Sequence, residues 1–568
     1  MASESSLANT SRDGFDDNLG GSPTAENAVK LSGEHLSATD EKTPATGVQS
    51  HQDDKTYLRG PRFWMISSII GILFFIVHVE ISIVTTTLVV IASDIGGFEL
   101  ASWILTSYLI GYVGVIVMFA KLSDIFGRKI IYTICIFIFT VFSGACGAAQ
   151  STTQLIILRA FQGVGGGGCF SMSTVFLIEL VPPHKYAKFV AFAGISIALA
   201  LTSGPILGGA ISTNTTWRWI FLINVPIGAF ALLLAILGIP NGFPFHDQPH
   251  RQLKNTLSRG NLARVDILGS SLLLLATLSL TAGFQEADLR FPWRSAYVIT
   301  LITVSGLLWI ALFTWERQVT KAEGVIEPVF PWRFVTDRVV VGVYIGFILL
   351  GGPMTVTNFQ LPQRFQLVNH LSALDAGVRV VPFGGAIPIG TILAANILNK
   401  TKTPPIFIVL AGAVLQVIGF ALMATLPYTP YIPAKMYGFQ ILAGFGAGAN
   451  YQTLYLMIPF VVQPRDRAVG VGSANQFRMM GSAFGLAIAT TVFNGYALPS
   501  LRALGIEDYD AVINGQHTAS FVDGGSDDAY RRVLAEAYDR QLIVLAVLAA
   551  AQIPVAFLMW KKRQVVLG

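Results

Sequence analysis

Long apolar stretches alternate with short polar ones along almost the whole chain. A membrane helix needs about 20 mostly apolar residues. By that measure the sequence predicts fourteen spans, at 64–91, 100–120, 129–149, 153–180, 187–212, 217–239, 265–285, 296–315, 339–360, 373–397, 404–426, 433–462, 468–496 and 541–560. They fall six, two and six. Polar stretches from about Asn241 to Arg264 and from Glu316 to Arg338 set the middle pair apart, and a longer one, Pro499 to Arg540, precedes the last span. The first 60 or so residues are polar and read as a disordered tail with no cleavable signal pattern. The pattern therefore predicts an all-α polytopic membrane protein. Its parts are a cytosolic tail (1–62), a six-helix bundle (63–240), a linker with two inserted helices (241–337), and a second bundle (338–568) with an outer loop near 498–540.

Charge orients this layout. Lys and Arg gather on the cytosolic side of membrane proteins. Connections from even to odd spans hold Lys121, Arg128, Lys129, Lys185, Arg251, Lys254, Arg264, Arg333, Lys400 and Arg465, among others. The short connections on the other side hold only Arg218, Arg290, Arg294, Arg364 and Lys435. The chain ends in Lys561, Lys562 and Arg563, so both termini read as cytosolic, in keeping with an even number of spans. The sequon at Asn214 then faces outward as a candidate glycosylation site.

Composition narrows the function. Charged residues make up 12% of the chain and hydrophobic ones 53%, against about 25% charged in a typical soluble domain. That argues against a soluble enzyme, a DNA-binding protein or a disordered scaffold. The net charge of +5, from 38 basic and 33 acidic residues, gives no electrostatic case for a nucleic-acid partner. Cys135, Cys146 and Cys169 lie in apolar runs and read as packing residues, not a disulfide framework or zinc site.

Ionisable groups inside spans are expensive and are functional candidates by default. Span 1 carries His78 and Glu80; span 4 carries Arg159, with Gln162 and Gly163 on the same helical face. Span 1 runs outward and span 4 inward, which puts Glu80 about 15 Å and Arg159 about 9 Å below the outer surface at the helical rise. A direct or water-linked pair is geometrically feasible. Burial favours the neutral acid and a nearby arginine the carboxylate, so protonation of Glu80 could follow conformation. His78, two residues away, points elsewhere on a helix and reads as a packing residue. Gly204 and Gly208 in span 5 make a small-residue face, and Pro205 between them should kink the helix. Trp217 and Trp219 flank Arg218 as an outer-edge anchor.

Several of these strings resemble the major facilitator superfamily. Ala120-Lys121-Leu122-Ser123-Asp124-Ile125-Phe126-Gly127-Arg128-Lys129 is similar to that family's signature between spans 2 and 3, with Ala120 in place of its first glycine. Arg159-Ala160-Phe161-Gln162-Gly163 resembles its Arg-x-x-Gln-Gly motif, and Gly204-Pro205-Ile206-Leu207-Gly208-Gly209 its antiporter motif. The strings around Trp217–Gly228 and Ser372–Arg379 resemble the fourteen-span drug:proton antiporter branch. Where that branch usually carries Asp in span 1, this chain has Glu80.

The resemblance implies two six-helix bundles that rock about a midplane substrate site. It gives Asp124, Gly127, Arg128 and Lys129 the role of a cytosolic latch, Glu80 and Arg159 that of proton coupling, and Gly204, Pro205, Gly208 and Gly209 that of conformational change. It implies a cofactor-free monomer in a lipid bilayer that exchanges protons for a small organic substrate, with the look of fungal multidrug or secondary-metabolite efflux pumps of the plasma membrane or, alternatively, the vacuolar membrane. Asn450, Tyr451 and Gln452 in span 12 and Asn475 and Arg478 in span 13 join Gln162 as candidates to line a cavity. Two other readings stay open: uptake by a fourteen-span relative, for example of a siderophore, and a membrane sensor that does not transport.

Overall fold

The computed structural model describes residues 57–96, 100–182, 185–244, 258–287, 291–322, 324–401, 403–504 and 524–561. The expected tail up to residue 56, and Arg251, Lys254, Lys562 and Arg563, lie outside the described residues.

Helices fill all fourteen predicted segments. They are α1 (Pro61–Ile95), α2 (Ala101–Gly114, continuing after a bend as Ile116–Phe126), α3 (Arg128–Gly147), α4 (Thr152–Glu179), α5 (Tyr186–Asn214), α6 (Trp219–Leu222 and Asn224–Gly238), α7 (Ile267–Glu286), α8 (Ala296–Ala322), α9 (Arg338–Asn369), α10 (Ala373–Val378 and Val381–Thr401), α11 (Pro405–Ala424), α12 (Ala434–Val461), α13 (Arg467–Ala503) and α14 (Gly524–Leu558). Among the described residues, eleven helices are long and apolar enough to cross a membrane, or twelve when the two parts of α2, bent by 41°, count as one. The exceptions are α5, whose apolar stretch is the shorter Lys188–Ile197, and α12. In α12, four glycines and the amides of Gln440, Asn450 and Gln452 dilute the hydropathy.

The two sixes are wired alike. In the first, α1 packs on α5 and α6, α4 on α2 and α3, and α3 on α6. In the second, α9 packs on α13 and α14, α12 on α10 and α11, and α11 on α14. Counting from the start of each six, the pairs are the same. The inserted helices α7 and α8 pack on each other, and α7 lies against both α2 and α13. Across the junction of the halves, α5 meets α10 and α2 meets α13.

Glycine makes the tightest of these contacts. A Cβ at Gly163 or Gly167 of α4 would fall on the carbonyl of Tyr108 or Tyr112 in α2, and one at Gly165 on the backbone of Phe139 in α3. The run Gly163–Gly168 thus packs helix backbones together, as small residues do in membranes. Cys135 and Cys169 fill the same seam, and all three cysteines are buried free thiols.

Two sequence expectations change. The described residues of the outer loop placed at 498–540 are helical at both ends: α13 continues to Ala503 and α14 begins at Gly524. These extensions are too polar to read as spans, yet they bury Leu501, Leu534, Ala535 and Tyr538 against one another. Phe493 and Tyr538 pack as tilted rings with centroids 4.7 Å apart, and Arg540 lies 3.9 Å over the Tyr496 ring. Residues 505–523 are outside the described set. Trp217 is also no lipid anchor. It is 3% exposed and donates its indole N–H to Asp94. Arg218 donates to the carbonyls of Gly147 and Ala149, capping the end of α3, which leaves Trp219 as the exposed ring.

Candidate functional site

The first half buries an ion pair at its centre. Glu80 of α1 and Arg159 of α4 meet at 2.5 Å, each with no solvent exposure. Four helices supply the rest of the shell. Arg159 also donates to Gln162 Oε1 at 2.8 Å and to the carbonyl of Ile104 in α2 at 3.1 Å. Its guanidinium lies 4.3 Å from the Tyr108 ring centroid and 5.5 Å from that of Phe221. Gln162 is fixed in turn by donating to Ser143 of α3 at 2.8 Å. Asn224 of α6 donates its amide N–H to the second oxygen of Glu80. A charge that is both paired and hydrogen-bonded is the form in which ions are tolerated inside apolar protein. The arrangement can hold a carboxylate in the dry interior, and protonating that carboxylate would leave Arg159 without its counter-charge.

Sequence reasoning brought Glu80, Arg159 and Gln162 forward but missed Asn224. The signal was there, since a lone carboxamide inside the apolar run Trp219–Gly238 needs a partner. Gln162, expected to line a cavity, instead belongs to this network. His78 turns away: its Nδ1 is 2.9 Å from the Phe74 carbonyl and its ring packs on Phe170 at 5.6 Å.

The loop between α2 and α3 forms a second cluster. Gly127 sits at φ 95°, a conformation that favours glycine and turns the chain from α2 into α3. Arg128 then reaches Asp124 at 2.6 Å and both oxygens of Glu179, at the end of α4, at 2.8 and 2.9 Å. Lys129 points outward, half-buried. Lys121 crosses to Glu327, beyond α8, at 2.7 Å, and Glu327 also binds Arg264 before α7 at 2.5 Å. Six residues on, Arg333 pairs with Asp466 at the start of α13. Glu179, Glu327 and Asp466 lie far apart in sequence from Arg128, Lys121 and Arg333, and only tertiary packing pairs them.

The halves touch on this same side. The α2 bend frees the backbone N–H of Val117, which Gln476 Oε1 accepts at 3.1 Å, while Gln476 donates to Thr277 of α7 at 2.8 Å. Tyr455 donates across to the Thr174 carbonyl at 3.2 Å. Ala120, in place of the signature's first glycine, lies against Gly472 of α13. The close approach here rests on Gly472, the small residue on the partner helix.

The antiporter-motif stretch lies on α5, which runs as helix through Gly204–Gly209. A Cβ at Gly204 would meet Ser82 of α1, whereas Gly209 has open space beside it. The Pro205 side chain lies outside the described ones, and so does the kink expected there. Asn214 is the exposed last residue of α5.

The amides of the second half serve different places. Asn450 donates to Gln552 of α14 at 2.7 Å, and Gln552 faces Gln416 of α11. Gln452 is fully buried with no hydrogen-bond partner among the described residues. Asn475 donates to its own helix at Val471. Tyr451 lies under Arg478, 5.7 Å from guanidinium carbon to ring centroid.

Two helical bundles of identical pairing, joined by an inserted pair and built around buried charge, define a multi-pass membrane transporter of small molecules. The chain belongs to the Major Facilitator Superfamily, whose sequence profile matches residues 70–486. It is 36% identical over 500 residues to the MFS-type transporter FPY5 of Fusarium mangiferae, covering 88% of this chain and 84% of that protein. It is 28% identical over 487 residues to the MFS-type efflux pump LUC4 of a Fusarium species, covering 85% and 81%. The proton:xylose symporter XylE shares the fold, with a TM-score of 0.53 at 15% identity over 87% of this chain and 96% of that one.

Proposed function

We propose that this chain is a proton-coupled efflux transporter. It exports small amphipathic organic compounds by alternating access, as a plasma-membrane monomer with both termini in the cytosol. The efflux pumps among its relatives and the antiporter motif on α5 support the direction. The observation that carries the coupling is the fully buried Glu80–Arg159 pair with Asn224 as its third member.

In this reading a proton from outside neutralises Glu80. Arg159 then loses its counter-charge and keeps Gln162, the Ile104 carbonyl and the Tyr108 face. Because α1, α2, α4 and α6 all contribute to the shell, a change of partner at Glu80 is felt by four helices at once. Asp124, Gly127, Arg128 and Lys129 act as the cytosolic latch, closed in this structure. Gly204, Pro205, Gly208 and Gly209 let α5 move against α1. Asn214 is an acceptor for glycosylation on the outer face.

The test uses inside-out vesicles energised with a proton gradient and offered a panel of amphipathic dyes. Gradient-dependent accumulation that Glu80→Gln abolishes is the expected result. Accumulation that survives Glu80→Gln moves coupling to another residue. Accumulation driven in the opposite direction makes the protein an importer.

A further inference from the structure

Among the described residues, four arginines are buried within the bundles: Arg128, Arg159, Arg364 and Arg478. Three face a carboxylate. Arg128 has Asp124 and Glu179, Arg159 has Glu80, and Arg364 of α9 has Asp539 of α14 at 2.9 Å. Arg478 is the exception. No carboxylate of the described residues reaches its guanidinium, and its buried Nε has no hydrogen-bond partner. The Tyr451 ring beneath it is its neighbour on the α12 side.

A buried, unpaired guanidinium costs several kcal/mol in an apolar interior. A chain that balances three such charges and leaves the fourth has kept that position for something that arrives from outside. Its surroundings say what. Arg478 projects from α13, which packs on α2 and α4 of the first half. Tyr112 packs on Phe170 at 5.7 Å, as does His78 at 5.6 Å, while Tyr451 packs on Tyr455 at 5.8 Å and on Phe347 at 6.1 Å. Two more polar atoms of this patch are buried without a partner: the Tyr112 hydroxyl, and Oδ1 of Asn475 one turn before Arg478. One unbalanced cation, unsatisfied polar atoms and aromatic side chains thus lie on the packed helices α2, α4, α12 and α13, which come from both halves. Arg478 is 9% exposed, whereas Arg159 has no exposure.

We propose that Arg478 is the anion-binding residue of the transport site and that the substrate is an amphipathic organic acid. Its carboxylate, or an equivalent oxyanion, pairs with the guanidinium of Arg478, and its apolar body lies between Tyr451 and the Tyr112–Phe170 face. This assigns a substrate class to the transporter proposed above and rests on that reading. The Asn475 carboxamide lies one turn away to orient a second polar group of the ligand.

The experiment uses the full-length protein in nanodiscs of phosphatidylcholine, which carries no net charge to compete. Three probes share one aromatic body: pyrenebutyrate, its methyl ester and pyrenebutylamine. Binding is read by fluorescence anisotropy, with empty discs subtracted. Wild type should bind the carboxylate about 10- to 100-fold more tightly than the ester, the range of one charge-assisted hydrogen-bonded contact, and the amine most weakly. Arg478→Gln should equalise the carboxylate and the ester. Arg478→Lys should keep their order with a smaller gap, because a point charge replaces the fork. Equal affinities for wild type, or no binding of the carboxylate, overturn the proposal without recourse to any variant. So does a wild-type preference that persists in Arg478→Gln. If a proton gradient across sealed proteoliposomes moves none of the probes while the Arg478-dependent preference in nanodiscs stands, the exporter reading fails and the anion site survives. Gradient-driven transport with no carboxylate preference gives the reverse.

Discussion

Glu80 divides its two oxygens between unequal neighbours, a charge at Arg159 and a carboxamide at Asn224. Removing them should not cost the same. Asn224→Leu leaves one buried oxygen without a donor, a loss of about 1–3 kcal/mol. Arg159→Met strands a buried carboxylate and costs about 3–5 kcal/mol. The double variant Glu80→Gln with Arg159→Met removes both charges and should recover part of that loss. Melting temperatures in detergent are therefore expected to fall from wild type to Asn224→Leu to Arg159→Met, with the double variant above Arg159→Met alone. An Arg159→Met protein that melts like wild type removes the ion pair from the stability of the first half. How far this centre was legible follows from what each residue advertises. Charged residues in a span stand out in any reading, so Glu80 and Arg159 did. Asn224 and Gln162 are neutral and took their meaning only from what they face. Arg478 was visible as a mid-span charge, but a missing partner is a fact of three dimensions.

At the scale of helices, the α4 glycines and the α5 glycines look alike in sequence and behave differently in packing. Gly163→Ala or Gly167→Ala places a methyl against the α2 backbone, which cannot yield as a side chain can. Overpacking of this kind costs about 1–3 kcal/mol. Gly204→Ala should also destabilise, because its Cβ meets Ser82 of α1, while Gly209→Ala has free space and should be neutral or slightly stabilising in a helix. Thermal stability and the yield of folded protein for these four variants check the ranking; a Gly209→Ala protein as damaged as Gly167→Ala would refute it. Helix positions were legible because apolarity over about 20 residues is hard to hide. Helix ends were not. The extensions of α13 and α14 carry polar residues on one side and bury Leu501 and Leu534 on the other, a pattern that hydropathy averages away.

At the scale of the molecule, the matching helix pairs make each half a complete packing unit, and fewer helices meet across the junction, the division that the proposed rocking requires. The side closed in this structure is held by charge as well as by packing. Burial alone would raise the acidity range of Glu327, but Lys121 and Arg264 outweigh it and hold its carboxyl below the ordinary value. A lowered value makes its contribution complete at neutral pH and lost only as pH falls through that lowered range. Glu327→Gln removes the contribution at every pH. It should cost about 1 kcal/mol, since the pairs are partly exposed, and should raise the population open on this side, read by the accessibility to a thiol reagent of a cysteine introduced at Ala468, which is buried against Ala120 and Val175. Unchanged accessibility would separate this cluster from the conformational equilibrium.

Glu327 and Arg333 give that cluster a further property. One is anchored to the first half through Lys121 and the other to the second through Asp466, with only six residues of chain from one anchor to the other. Fully drawn out, six residues reach about 20 Å. While both ends hold, the stretch is a leash of fixed length: the mouth on this side can part no wider than its slack allows. Whatever breaks either tie lengthens the leash, and the distance by which the two halves can part at this end grows with it.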